Sequence, residues 1–309
     1  MKVSLIIPTL NAEKFLPNLI PNLMKQSFSL VEIIIIDSSS DDRTVDAVKE
    51  MGCRTIVIER KNFDHGGTRN LAVRESTGDV VIFMTQDALP FDSFFVENLV
   101  APLKDKSIAA SFGRQIPRPE ASPPEKFARL FNYPVKAVIK SKEDLPSLGI
   151  KTYFFSNVCS AVKRSQFEEV GGFPEHTIMN EDMLLAAKFI LKGYKVAYTP
   201  AAVVWHSHNY SSLQHFNRYF DIGVFFSMNR YFFNGINNEG EGIRFLKGQL
   251  NYLLKKGQYC WIPNVIAVTV AKYAGYRLGL MEKSIPLYFK KIFSMNRVFW
   301  NDVNSTEDI

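Results

Sequence analysis

Cysteine is scarce. The 309 residues hold three, Cys53, Cys159 and Cys260, odd in number and far apart, with no metal-ligand spacing. That excludes a disulfide framework and a cysteine zinc site, and it points to a reducing compartment. Long apolar runs are missing too. The nearest, Trp261 to Leu280, is interrupted by Pro263, Lys272 and Arg277, so no membrane-spanning helix is expected. Met1 to Pro8 is a short apolar stretch cut by proline, too brief for the core of a signal peptide. The expectation is a cytoplasmic protein, peripheral at most on the inner face of the cell membrane. No internal repeat or low-complexity tract appears. Nor does a Gly-rich, Lys-containing phosphate loop follow the first strand, which weighs against a nucleotidylyltransferase.

Acidic residues thin out toward the carboxyl end. Residues 1–210 carry 25 Lys and Arg against 24 Asp and Glu, whereas residues 211–309 carry 12 against 7. Between Gly242 and Arg297 ten basic residues face one acid, Glu282, with leucines, tyrosines and tryptophan between them. A basic, aromatic, helical region of this kind suits an anionic membrane surface, or a homo-oligomer contact, rather than nucleic acid.

What is present is an ordinary globular composition, 46% hydrophobic and 22% charged, on a chain long enough for a real core. Strands are expected at Lys2 to Ile7, Val31 to Ile36, Arg54 to Glu59 and Val80 to Met84, with helical segments between them. That alternation predicts an α/β fold with a doubly wound, mostly parallel sheet. From 91 to 150 the pattern loosens and reads as a connecting or substrate-covering region. An amphipathic helix is expected from Glu181 to Lys192, stopped by Gly193. A strand around Ala201 to Val204 then leads to Trp205-His206-Ser207-His208. Beyond 210 the chain reads as helical.

Polar groups recur just past the strand ends, where open α/β sheets bind ligands. In order they are Pro8-Thr9-Leu10-Asn11, then Asp37 with Ser40 and Asp42, then His65-Gly66-Gly67-Thr68-Arg69-Asn70, and Gln86-Asp87. Asp87 is placed to hold a divalent cation, and the cation a diphosphate. Asp37 could accept hydrogen bonds from a base or ribose. Gly66 and Gly67 allow backbone to approach a ligand, and Arg69 could fork onto a phosphate or hold the pocket's carboxylates. A His-x-His pair in a strand would put both rings on one side, so two-histidine metal binding is conceivable. A metal hydrolase would need a third ligand that is not evident nearby.

Taken together, Pro8-Thr9-x-Asn11, the Asp37 to Thr44 segment, Gly66 to Asn70 and the Asp87 line resemble the family 2 inverting glycosyltransferases. Phe63 to Asn70 with Met84 to Ala88 is most similar to the bacterial rhamnosyltransferases among them. The resemblance implies a GT-A fold over 1–210, with a nucleotide-binding half (1–90) and an acceptor-binding half (91–210), followed by the helical region 211–309. It implies a dTDP-rhamnose donor and a lipid-linked cell-surface polysaccharide intermediate as acceptor. Another nucleotide sugar such as a UDP-sugar, or a non-catalytic sugar-nucleotide-binding membrane scaffold, are the alternatives. Thr85 stands where the family's usual Asp-x-Asp motif has its first acid, leaving Asp87 as the carboxylate for Mg2+ or Mn2+, with His206 completing the metal site. Pro8, Thr9, Asn11, Asp37, Ser40, Asp42, Gly67, Arg69, Gln86 and Asp87 are thereby assigned to the donor. Asp182 matches the family's catalytic base, with Glu181 orienting it or binding acceptor. Asn157, Trp205 and His208 join Glu181 on the acceptor side. An acceptor hydroxyl is a poor nucleophile near neutrality, so a carboxylate in reach of its proton is what transfer requires.

Overall fold

The structure, a computed structural model, describes residues 1–233 and 239–302. The parts of the helical C-terminal expectation that fall on 234–238 and 303–309 lie outside the described residues. The chain forms two compact units. The first comprises Met1–Arg118, Asn132–Glu175 and Glu181–Ser207, and the second Pro119–Phe131, His176–Asn180 and the chain from His208 onward.

The first unit holds a nine-stranded mixed sheet. Its strands are β1 (Val3–Thr9), β2 (Glu32–Asp37), β3 (Arg54–Val57), β4 (Val80–Met84), β5 (Leu89–Pro90), β6 (Ile108–Ile116), β7 (Val138–Lys140), β8 (Cys159–Lys163) and β9 (Lys195–Trp205). They run in the order β3-β2-β1-β4-β8-β6-β9-β5, with β7 also pairing to β9. The quartet β3-β2-β1-β4 is parallel. Leu5, Ile6, Ile35 and Ile82 at its centre are wholly buried, as expected of strands covered on both faces. Then β8 enters antiparallel to both β4 and β6, and β9 runs parallel to β6.

Register positions the site. Thr9 pairs with Asp37, Met84 with Cys159 and Ile116 with Trp205. The carboxyl ends of β1, β2, β4, β6 and β9 therefore share one rim with the amino end of β8. Between Gly113 and Arg114 the β6–β9 register shifts. A Cβ at Gly113 would lie 2.5 Å from the Ala202 carbonyl oxygen, so only glycine fits the irregularity. Beyond it Gln115 is buried.

Two expectations need correcting here. The stretch 91–150 contains β6, a nine-residue strand inside the sheet, and the helix Phe95–Val100. Small residues (Ile108-Ala-Ala-Ser-Phe-Gly) fill β6, so the period that marks a strand is blurred. And β9 ends at Trp205, so His206 and His208 follow the strand and do not lie within it.

The second unit is helical. Ser212–Met228 is capped by a reciprocal Ser211–Gln214 box. It packs on Ile262–Leu280 at backbone contact. A Cβ at Gly223, Gly275 or Gly279 would lie 2.3, 2.3 and 2.1 Å from the carbonyl oxygens of Tyr276, Phe216 and Phe220. Among the described residues no helix is long and apolar enough to cross a membrane.

Candidate active site

The helix Glu181–Leu191 opens with its two acids, where the helix dipole favours negative charge. Asp182 Oδ2 accepts from the Asn157 N–H at 3.1 Å, and Oδ1 from the Met183 N–H at 2.7 Å. Burial first, and then the charge of Glu181, push the Asp182 carboxyl up to about 7. Glu181 moves the other way. Burial alone would raise it, but Arg69, His65 and the Asn157 amide hold it below the usual carboxylate range. The Arg69 guanidinium lies 3.1 Å from Glu181, and the Asn157 Nδ2 3.0 Å from it. Two adjacent acids driven apart in this way are how one site keeps a permanent charge beside a proton acceptor.

A second pair stands on the same rim. His206 Nε2 is 3.5 Å from Asp87 Oδ2. The other ring nitrogen, Nδ1, is 2.9 Å from Gln115 Oε1, while Gln115 Nε2 donates to Tyr133 Oη and Ser156 Oγ at 2.6 and 3.0 Å. That network turns Nδ1 into the donor and leaves Nε2 as a lone-pair ligand directed to Asp87. The Asp87 carbonyl accepts from Arg118 at 2.6 Å. A carboxylate oxygen and a neutral imidazole nitrogen form a donor set that suits Mn2+ and admits Mg2+. The two pairs are tied together. Ser156 and Asn157 are consecutive, and the next carbonyl, that of Val158, accepts from the Thr85 N–H at 3.3 Å.

The loop after β1 is built by cross-links. Thr9 and Ser40 hydroxyls donate to Asp37 Oδ2 at 2.8 and 2.6 Å, and the Ser40 N–H to Oδ1 at 2.8 Å. Asn11, at φ 52°, accepts from the Asp41 N–H at 2.9 Å. Asp42 accepts from the Glu13 and Thr44 N–H groups at 3.1 and 2.9 Å. Gln86 bonds Leu10 reciprocally, at 2.9 and 3.1 Å, joining this loop to the Asp87 segment. Pro8 belongs to β1, paired with Ile36.

Several residues assigned to ligands from the sequence also have partners within the protein. Asp37 is wholly buried, its oxygens engaged by Thr9 and Ser40. Arg69 is buried against Glu181 and the His65 carbonyl, where its charge holds a carboxylate. The Gly67 N–H donates at 2.5 Å to the carboxylate of Asp64, which caps the helix. A Cβ at Gly66 would fall 1.9 Å from the Pro174 carbonyl oxygen, so the close approach there is protein on protein. Asn157 is buried and spent on both acids. Trp205 packs against Phe91 at 5.6 Å. His208 belongs to the second unit, stacked on Tyr210 at 5.2 Å. Gln115, Arg118 and Ser156 escaped the sequence reading, because a polar residue inside an unmarked strand or loop carries no motif; His65 stood in its motif without a role of its own.

Comparison with known proteins places this geometry. The sequence model for "Glycosyl transferase family 2" matches residues 4–171. The chain is 47% identical over 308 residues to the O-antigen chain rhamnosyltransferase RfbN of Salmonella typhimurium, covering 98% of this chain and 97% of the relative. It is 44% identical to the O-antigen chain rhamnosyltransferase WbaN of Salmonella anatum, covering 97% and 96%. Among solved structures, the mannosyltransferase PcManGT of Pyrobaculum calidifontis, in complex with GDP-Man and Mn2+, superposes with TM-score 0.58 at 19% identity, covering 98% of this chain and 86% of that one. S. aureus TarS 1-349 with UDP-GlcNAc gives 0.57 at 16% identity, covering 100% and 92%. The fold is that of the GT-A glycosyltransferases. The chain belongs to glycosyl transferase family 2, and it is an enzyme of that class.

Proposed function

We propose that this glycosyltransferase moves L-rhamnose from dTDP-rhamnose, with inversion, to a hydroxyl of a lipid-linked cell-surface polysaccharide intermediate. The observation that carries the reading is near full-length identity to two O-antigen chain rhamnosyltransferases, joined to a rim that holds a lifted acid and an Asp–His pair.

In this reading Asp182 takes the proton of the acceptor hydroxyl. Its pKa near 7 matches the working pH, which is where a general base is most effective. Asn157 and Met183 N–H groups aim the carboxylate, and Glu181, locked by Arg69, keeps a negative charge behind it. Asp87 and His206 would hold a divalent cation, whose charge would offset that building on the departing diphosphate. Thr9, Asn11, Ser40 and Gln86 shape the nucleoside loop, with Asp37 ordering it from beneath.

The partner surface is an anionic lipid leaflet. Ile266, Val270 and Tyr273 form an exposed apolar stripe on Ile262–Leu280, and Tyr288 and Ile292 are exposed on Leu287–Phe293. The single acid of this segment, Glu282, is buried and bonded to Lys290 at 2.9 Å, so the charge it shows is positive. Like charge on like disfavours a second copy as the cover.

A screen of nucleotide sugars by thermal shift, with and without Mg2+ or Mn2+, tests the donor. The expected result is a cation-dependent rise with dTDP-rhamnose and dTDP, followed by dTDP release on adding acceptor. A rise with UDP-sugars alone would overturn the dTDP assignment, and binding without release would favour the scaffold alternative.

A further inference from the structure

A cavity of about 510 Å³ lies wholly within the second unit. Its size falls in the ordinary range of small-molecule sites, about 300–1,000 Å³. Three features of its lining define a ligand class. The first is aromatic and apolar wall: Trp261, at the turn entering Ile262–Leu280, with Val265 and Val268 one and two turns on, and Tyr210. Tyr210 is held by His208 in a near-parallel stack and edge-on by His215 at 5.7 Å.

The second feature is neutral hydrogen-bonding groups. Gln249 donates to the Pro124 carbonyl at 3.1 Å, which fixes the amide and keeps its oxygen as an acceptor. Asn264 is exposed. His215 Nδ1 is buried with no hydrogen-bond partner, a cost that a bound hydroxyl or water removes. Burial first, then Lys272 and Arg218, push His215 down to about 4, so its ring is neutral at ordinary pH.

The third is that Lys272, the one cation of the lining among the described residues, is already engaged within the protein, as is Glu125. The Lys272 ammonium lies 5.3 and 5.4 Å from the ring centres of Tyr219 and Phe245. Glu125 is paired with Arg129 at 2.7 Å. An anionic ligand would find its countercharge occupied. A sugar ring needs none, since it offers C–H bonds to an aromatic face and hydroxyls to amides.

We propose that this cavity is a saccharide subsite, holding one or two neutral hexose units of the acceptor by stacking on Trp261 and by hydrogen bonds to Gln249, Asn264 and His215. It deepens the glycosyl-transfer reading above by giving the acceptor chain a place of its own, and it rests on that reading only for the ligand's role.

The test is ligand binding to the full chain, by saturation-transfer NMR and calorimetry. The probes are methyl α-L-rhamnoside, methyl α-D-mannoside and methyl β-D-galactoside, with sodium pyrophosphate as the anionic probe. At least one glycoside should bind with Kd on the order of 1 mM, uncompeted by dTDP. Trp261→Ala should weaken it about tenfold and Asn264→Ala about threefold. Asn264 is exposed, so its variant folds and decides the matter even if Trp261→Ala does not. Binding of pyrophosphate alone, of no glycoside, or of glycosides equally to wild type and Asn264→Ala overturns the subsite. None of these readouts uses transfer. Loss of dTDP-rhamnose turnover with glycoside binding intact would therefore sink the donor assignment alone.

Discussion

The guanidinium of Arg69 sits 3.1 Å from the carboxylate of Glu181, with both side chains less than a tenth exposed. Removing one partner of such a pair strands a buried charge. Arg69→Ala should destabilise the protein by about 3–5 kcal/mol, and adding Glu181→Gln should recover part of that loss. Urea denaturation of the single and double variants measures it; an additive double variant would show that the pair is not coupled.

The same pair governs pH dependence. Asp182 is lifted from the usual aspartate range to about 7, by burial first and then by Glu181. Transfer should therefore rise with pH through about 7, as the carboxylate gives up its proton. Stability moves the opposite way. The folded acid keeps its proton above the unfolded value, so its contribution is full below that value and is lost as pH rises through about 7. Glu181→Gln removes the second cause and should shift the rate limb to lower pH. An unmoved limb would mean that another group sets it.

Gln115 acts through His206. Gln115→Leu removes the acceptor that fixes the ring, and apparent Mn2+ affinity in the presence of dTDP should fall by about 10–100-fold. Titration of Mn2+ by calorimetry reads this directly; an unchanged affinity would remove His206 from the cation site.

In the helical unit, Gly279→Ala drives a methyl to 2.1 Å from the Phe220 carbonyl oxygen. The helices must separate, at a cost of about 1–3 kcal/mol. Gly242→Ala meets nothing within 4 Å and should be neutral or mildly stabilising. Thermal melts of the two variants should differ in sign.

The exposed stripe of Ile262–Leu280 predicts binding to vesicles of phosphatidylglycerol but not phosphatidylcholine, weakened by salt. Val270→Asp should lower it, since it places an acid amid the apolar face. Equal binding to both lipids would contradict the electrostatic part.

Legibility in the sequence followed the physics of each element. The parallel quartet announced itself because strands such as Val80–Met84 are buried on both faces and are followed at once by polar residues. Asp87 stood out as a carboxylate just past an apolar strand, whereas Asp182 and His206 were singled out through the family resemblance. Strand β6 was hidden by its alanines and by a glycine irregularity. Arg69 was readable as holding either a phosphate or the pocket's carboxylates, its partner Glu181 lying more than a hundred residues away, and Gly66 signalled close approach without saying to what. Gln115 carried no signal at all, since its importance comes from the histidine that the β6–β9 pairing sets beside it.

The most direct measurement is Asp182→Asn, assayed for dTDP-rhamnose turnover and for the cation-dependent thermal shift with dTDP. The account predicts that transfer is abolished while the shift persists, because the proton acceptor is lost and the donor rim is untouched. Turnover at the wild-type rate would contradict it.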